Sequence, residues 1–284
     1  MSNVNLSKKA VLVTMIVSQY LAKGRSKEVD AKVTAHLKTK RKAGSTQIDL
    51  LDPKEVAHTK RAAYNIRKHF NRMTLPWDEK SRILPSALYD QFQEKHKILV
   101  REFSNRVDEF AIAFPSLLRK AENELGEELY NLMEFPAITE IRSKFGVMLS
   151  YNPVPVSGDF RITLSNDEID NIRQELDERN KAMLSRSMHD AWRRLHTVVQ
   201  EMTEKINKPT FRDSIVGNIT DLVNILPGLN LGEDTELDRV REEVIERLCR
   251  YTPSELRNNS SKRSEIEIAA REIVGSMRKL RTDL

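Results

Sequence analysis

The sequence predicts a mostly helical chain of the α+β class, in which long amphipathic helices carry a small sheet built from an N-terminal strand and a hairpin-like pair at 145–164. Three observations predict it. Aromatic residues make up 6% and charged residues 31% of the 284, with 9 Gly and 10 Pro, a composition that suits helices and leaves few turn formers for a sandwich or barrel. Apolar residues recur at spacings of three, four and seven along most of the chain, the period of a helix that buries one face. The stretches that depart from this period are short and rich in Val, Ile, Thr or Phe, and they read as strands. Hydrophobic residues amount to 39%, enough for a chain of this length to bury a core.

Residues 10–20 (AVLVTMIVSQY) are too short for an isolated helix and read as a strand. The basic stretch that follows reads as a flexible or loosely helical loop ending in Lys38, Lys40, Arg41 and Lys42 beside Gly44. Asp52-Pro53-Lys54-Glu55 offers an N-cap, a proline at the first helical position and an acid at the third, so a helix is expected from there to about Met73. Val56, Ala63, Ile66, Phe70 and Met73 line its buried face. Thr74-Leu75-Pro76-Trp77-Asp78 ends it, because proline and the residue before it resist helical continuation. Trp77 is the expected packing anchor there.

Pro85 opens a second helix of about eight turns, with Leu88, Phe92, Leu99, Phe103, Val107, Phe110 and Phe114 as its stripe. Pro115 is expected to break or kink it, and Leu118, Ala121, Leu125 and Leu129 continue the stripe in a following helix. Pro136 starts a further short one. At Phe145 the period changes, and 145–151 with 160–164 read as two strands around a turn region at 153–158.

Ser165-Asn166-Asp167-Glu168 is a capping box in front of the longest helix, 165–206. At ~1.5 Å per residue it would be roughly 60 Å long, so it protrudes, is kinked, or packs against another chain. From Leu184 its apolar positions 184, 188, 191, 195, 198 and 202 approach a heptad seam. A helix opened by Phe211-Arg212-Asp213-Ser214 is expected to end before Leu226-Pro227-Gly228, and another spans about 235–250. After the polar break at Asn258-Asn259-Ser260-Ser261, Ile266, Ala269, Ile273, Met277 and Leu280 form the stripe of a terminal helix that either folds back or docks on a neighbour. The organisation expected is one helical α+β domain over 1–250, containing a basic region at 23–72, followed by a C-terminal arm at 260–284.

Charge is the most specific feature. The chain carries 47 Lys+Arg and 42 Asp+Glu, net +5; residues 1–75 hold 16 cations against 5 anions, or +11, and the rest 31 against 37, or −6. A basic quarter on a mildly acidic remainder points to a polyanion-binding surface or to an acidic partner. The candidate nucleic-acid contacts are Lys23, Arg25, Lys27, Lys38, Lys40, Arg41 and Lys42 in the loop, with Lys60, Arg61, Arg67, Lys68 and Arg72 on the helix that follows. A solvated basic face is the plain alternative.

No Gly-rich phosphate loop, His-Glu-x-x-His, serine elbow or calcium loop is present, so no catalytic residue, metal site or cofactor is expected. The six histidines lack metal-ligand spacing; His189 and His196, seven apart, have no third donor that the sequence places beside them. Cys249 is the single cysteine and reads as a buried structural thiol in a reducing compartment. The longest apolar run, at 10–17, is far short of the ~20 residues a bilayer span needs, so no membrane segment is expected.

Several phrases together resemble a family of uncharacterised tailed-bacteriophage proteins: Thr74-Leu75-Pro76-Trp77-Asp78, Leu84-Pro85 with Tyr89, Phe145-Gly146, Pro153-Val154-Pro155, Gly158-Asp159-Phe160-Arg161, Phe211-Arg212-Asp213-Ser214 with Asn218, and Leu226-Pro227 with Leu229-Asn230. The resemblance implies a phage gene product in the cytoplasm of the infected cell. Related families resemble genes found near phage DNA-metabolism genes and ATPases of the MoxR or cobaltochelatase type. The basic stretch before Asp52 is less typical of the family.

The function expected from these observations is non-enzymatic: a self-associating phage protein that binds DNA or another nucleic acid through its basic N-terminal region, as an accessory to phage DNA metabolism. Lys and Arg would act by neutralising phosphates, without sequence specificity. The aromatics in that region are few, Tyr20, Tyr64 and Phe70, which favours backbone contact over base stacking. The alternatives are an adaptor or inhibitor that binds an AAA+ ATPase or a host defence protein through the same basic surface, and a structural homo-oligomer assembled through the long helix and the C-terminal arm.

Overall fold

The computed structural model describes residues 6–41, 44–156, 165–208 and 211–280. The element order is α1 (Leu6–Lys9), β1 (Ala10–Ser18), β2 (Lys23–Arg25), α2 (Lys27–His36), β3 (Gln47–Asp49), α3 (Ala57–Met73), β4 (Leu75–Pro76), β5 (Arg82–Pro85), α4 (Tyr89–Leu129), β6 (Gly146–Pro153), α5 (Asn166–Lys205), α6 (Ser214–Leu229), α7 (Thr235–Leu248), α8 (Pro253–Asn258) and α9 (Ser260–Leu280), with single 3-10 turns at Ser86–Leu88, Leu132–Glu134 and Ile141–Lys144. The chain is mostly helical with a small antiparallel sheet, the class the sequence predicts.

That sheet has four strands in the order β4-β5-β1-β6. β5 runs antiparallel to β1, with Ala10 opposite Pro85 and Val13 opposite Arg82, and β4 pairs with β5 through Leu75 and Ile83. The expected three-stranded sheet therefore gains a β4-β5 hairpin from residues read as a helix stop and a helix start. Proline is tolerated at both places because Pro76 and Pro85 sit at strand ends. β6 supplies the first strand of the expected pair at 145–164; the second lies outside the described residues.

Contacts divide the chain into two compact units, neither a continuous stretch of sequence: unit 1 comprises Met1–Thr14, Asn71–Gln91 and Ser150–Leu284, and unit 2 comprises Met15–Phe70 and Phe92–Leu149.

In unit 1, α5 packs against α6 and α9, and α7 against α6 and α9. The capping box forms as expected, with Glu168 N donating to Ser165 Oγ at 3.4 Å and Ser165 N to Glu168 Oε2 at 3.0 Å. Met188, Ala191, Leu195 and Met202 of the heptad-like seam are buried together with Trp192 and Val199. Helices of the same chain cover the seam, so this stretch of α5 needs no second chain to bury it. The segment read as an arm contributes α9, which folds back and buries Ile266, Ile273 and Met277. α6 continues through Pro227 to Leu229, past the expected stop. Gly228 makes this fit, because a Cβ there would lie 2.6 Å from Leu88 Cγ.

In unit 2, α3 and α4 enclose a core of Ala63, Ile66, Phe103, Phe110, Phe114 and Phe145 with Leu50 and Leu51. Tyr20 meets Phe114 edge-on at 6.1 Å, and Phe145 meets Phe110 at 5.6 Å. α4 does not break at Pro115: the helix runs through it, held by Phe110, Phe114, Leu117 and Leu118, all buried on either side of the proline. Its regular backbone is interrupted later, at Gly126, where φ is 67°. α3 begins at Ala57, after a turn in which the Asp52 carboxylate accepts the Lys54 amide at 3.0 Å, rather than at Pro53 as the capping motif suggested.

Candidate nucleic-acid interface

α3 is the centre of the candidate surface. Its 17 residues, AHTKRAAYNIRKHFNRM, include five Lys or Arg and no Asp or Glu. Val56, Ala62, Ala63, Ile66, Phe70 and Met73 are buried, so the apolar stripe fixes which way the helix is turned. Lys60 is half-buried, while Arg61, Tyr64 and Lys68 are exposed. Positions 60, 61, 64 and 68 are one, three or four residues apart in succession and share one face of the helix. Tyr64 is 61% exposed, an aromatic ring in water among three cations. Among the described residues none of Lys60, Arg61 and Lys68 has an ion-pair partner, and the acid nearest in sequence, Glu55, is engaged by Lys120 at 2.7 Å.

The other two cations of this helix have structural work. Arg67 donates through Nη2 to the Val17 carbonyl at 2.7 Å. Arg72 pairs with Asp221 Oδ2 at 2.9 Å and also donates to the Asp221 carbonyl at 3.2 Å. Sequence periodicity assigns all five to a polar face, yet two of the guanidiniums are committed within the fold.

The basic loop is more ordered than its composition suggested. It is an excursion between β2 and β3, which pair antiparallel with Lys23 opposite Asp49 and Arg25 opposite Gln47. The excursion contains α2, capped by Ser26, whose Oγ accepts the Val29 amide at 3.1 Å. Lys27 opens α2. Thr46 N donates to the Asp30 carboxylate, tying the return of the loop to the helix. Lys23 forms an ion pair with Asp49 at 2.8 Å. Arg25, Lys38, Lys40 and Arg41 are exposed, with no ion pair among the described residues, and Lys38 turns the chain at φ 50°. Lys42 lies outside the described residues. The close pairing of β2 and β3 depends on Gly24, where a Cβ would collide with the Glu134 carboxylate and with Leu50.

A second set of cations lies in unit 1 and was missed at the level of sequence. Arg179, Arg186 and Arg193 are spaced by seven on α5, two turns apart and therefore on one face. That spacing is the signal that could have found them. Arg82 joins them from β5.

Among the described residues no group of three His, Cys, Asp or Glu side chains could hold a metal ion, and no helix is long and apolar enough to cross a membrane. Cys249, expected to be buried, is half-buried, and burial pushes its thiol above the usual range. No protein-family model, curated protein or solved structure matches this chain.

Proposed function

We propose that the protein acts by binding rather than by chemistry, and that it binds the phosphate backbone of nucleic acid through the basic surface of unit 2, as an accessory to phage DNA metabolism. The observation that carries the reading is α3: a helix with five cations and no acid, on which Lys60, Arg61 and Lys68 are left without ion pairs around an exposed tyrosine. Cations without internal partners are available to neutralise phosphates, and each phosphate neutralised releases counterions condensed on the nucleic acid. The exposed Arg25, Lys38, Lys40 and Arg41 of the β2-β3 excursion extend the positive potential of the same unit. The resemblance of the sequence to tailed-phage proteins supplies the setting.

The test is fluorescence anisotropy of the full chain with a labelled duplex across a salt series. Replacing Lys60, Arg61 and Lys68 together by Ala is expected to weaken binding and to flatten the slope of log affinity against log salt by about 2.7, at ~0.9 per lost phosphate contact. Unchanged affinity and slope would exclude α3. Replacing Lys38, Lys40 and Arg41 by Ala asks the same of the excursion. Tyr64→Ala separates modes of contact: a loss confined to single strands indicates base stacking, whereas an equal loss on duplex and single strand indicates backbone contact.

A protein partner is the second reading, and one observation favours it. Leu132, Met133 and Ile138 of unit 2 are 59%, 89% and 51% exposed, an apolar group that a contact with another protein would cover. Light scattering with and without duplex reports assembly and nucleic-acid binding together. An oligomer that gains the duplex mass and releases it as salt rises supports the first reading, and recovery of one stoichiometric protein from infected cells after nuclease treatment supports the second.

A further inference from the structure

Three arginines of unit 1, Arg82, Arg186 and Arg193, line one cleft. The cleft, about 250 Å³ in volume, is lined by Pro76, Arg82, Arg186, His189, Asp190 and Arg193. Its single acid is already spent: Asp190 is buried, accepting from Arg194 Nε on Oδ2 at 2.8 Å and from Arg193 on Oδ1. Arg193 and Arg194 therefore share the one carboxylate that lines this cleft, and neither Arg82 nor Arg186 has an ion pair among the described residues. Two of the four also crowd a single carbonyl, since Arg194 Nη2 donates to Thr74 O at 2.7 Å and Arg82 Nη2 to the same oxygen at 2.9 Å. Arg82 Nε completes its contact on Thr74 Oγ1 at 2.6 Å, and Arg194 Nη1 donates to the Arg72 carbonyl at 2.9 Å.

These contacts hold Arg82 in place without neutralising it, because carbonyl and hydroxyl oxygens supply dipoles and no charge, whereas Arg194 is paired with Asp190. Burial, then the neighbouring Arg194, pushes the Arg82 guanidinium down to about 10, against the opposing pull of Asp190. Arg186 stands at the exposed rim with no ion-pair partner among the described residues. The fixed guanidinium of Arg82, the rim guanidinium of Arg186 and that of Arg193, with one buried carboxylate among the lining residues, make a receptor for a multiply charged oxyanion. The planar fork of Arg matches phosphate oxygens two at a time.

We propose that this cleft is a phosphate-binding site, in which Arg82, Arg186 and Arg193 hold a phosphate group belonging either to a small phosphate compound or to a nucleic-acid strand. The adjoining cleft, about 470 Å³, shares Arg186 and is lined also by Asp78 and Glu79 against Lys80 and Arg179, so a phosphate on Arg186 has space beside it, of mixed charge, for the group that carries it. The site is independent of the surface in unit 2, with no residue in common.

Thermal unfolding of the full chain tests it, because a ligand that binds only the folded state raises Tm with its concentration. The probes are inorganic phosphate, pyrophosphate and a short single-stranded oligonucleotide, each against chloride at matched ionic strength, with wild type, Arg186→Gln and Arg186→Lys. Arg186 is exposed and holds nothing in place, so both variants are expected to unfold at the wild-type Tm in chloride. In wild type, Tm rises with at least one probe; Arg186→Gln needs about tenfold more of that probe for the same rise, the loss of one charge-assisted contact, and Arg186→Lys falls between. A rise with phosphate or pyrophosphate that depends on Arg186 assigns the site to a small phosphate compound. A rise with the oligonucleotide alone, again dependent on Arg186, assigns it to a strand. No rise with any probe, or equal rises in wild type and Arg186→Gln, overturns the proposal. The Lys60, Arg61 and Lys68 triple variant keeps the Arg186-dependent rise with phosphate or pyrophosphate, so failure at one surface is read apart from failure at the other.

Discussion

Pro227 has no amide to offer the Val223 carbonyl one turn back, and inside a helix that gap would leave a polar group unsatisfied. Arg241 of α7 fills it, its Nε donating to Val223 O at 2.7 Å. The chain thus carries a proline through the last turn of a buried helix with a guanidinium from the next helix standing in for the missing donor. Arg241→Ala is expected to lower stability by about 1–3 kcal/mol, the cost of a buried acceptor left without a partner, and the urea midpoint reads it directly. Arg67 and Arg72 show the same economy of charge on α3. Their residue type suggested polyanion contacts, but one holds the Val17 carbonyl and the other Asp221, so substituting them reports on folding more than on binding.

Among the elements, α7 shows how one side chain couples a local signal to tertiary packing. Asp234 is its N-cap, accepting the Glu236 and Leu237 amides at 3.1 Å through Oδ1. Its other oxygen accepts the indole N–H of buried Trp192 on α5 at 2.8 Å. Removing the cap alone costs about 1 kcal/mol, and leaving a buried indole donor unpaired adds about 1–3 kcal/mol. Asp234→Ala is therefore expected to cost more than a cap variant at the solvent-exposed Ser165 of α5, and chemical denaturation of the two variants side by side checks the order. α4 and α5 make the complementary point about length. Each runs about 40 residues, but α4 ignores a proline that its apolar flanks hold in register, while the seam of α5 is covered by α6 and α9.

For the whole molecule, each unit contains one buried histidine that folding keeps neutral. His96 lies in unit 2 and His196 in unit 1, and each has a ring nitrogen, Nδ1 and Nε2 respectively, with no hydrogen-bond partner. Burial, helped by His69, holds His96 below its ordinary 6.5, and burial, helped by Arg278, does the same for His196. A folded-state value below the unfolded one means that the unfolded chain takes up protons first as pH falls. Stability is thus intact above the ordinary value and is lost as pH drops below it. Thermal unfolding is expected to show a flat Tm at pH values well above 6.5 and a decline below 6.5, before carboxylates begin to titrate. Replacing His96 and His196 by Leu should flatten the decline, and a decline that persists unchanged would assign it to other groups.

What the sequence by itself determined is whatever depends on residues within a few positions of one another. The period of Val56, Ala63, Ile66, Phe70 and Met73 orients α3, and a capping box starts α5 within one residue of its observed first turn. The acid-free cationic helix is likewise visible in one dimension, because helical spacing assigns faces without knowledge of any partner. Only the tertiary structure decided what depends on distant partners. β5 exists because Arg82 to Pro85 find β1 some 70 residues away, and Pro115 and Pro227 stay helical because packing and Arg241 offset their local cost. Tertiary structure also decided which cations remain free, since ion pairs such as Arg72 with Asp221 join residues 149 apart in sequence. The cleft beside Asp190 follows the same rule: the spacing of Arg179, Arg186 and Arg193 is written in the chain, but the cleft arises only where folding brings Arg82 to α5 beside the one carboxylate that lines it.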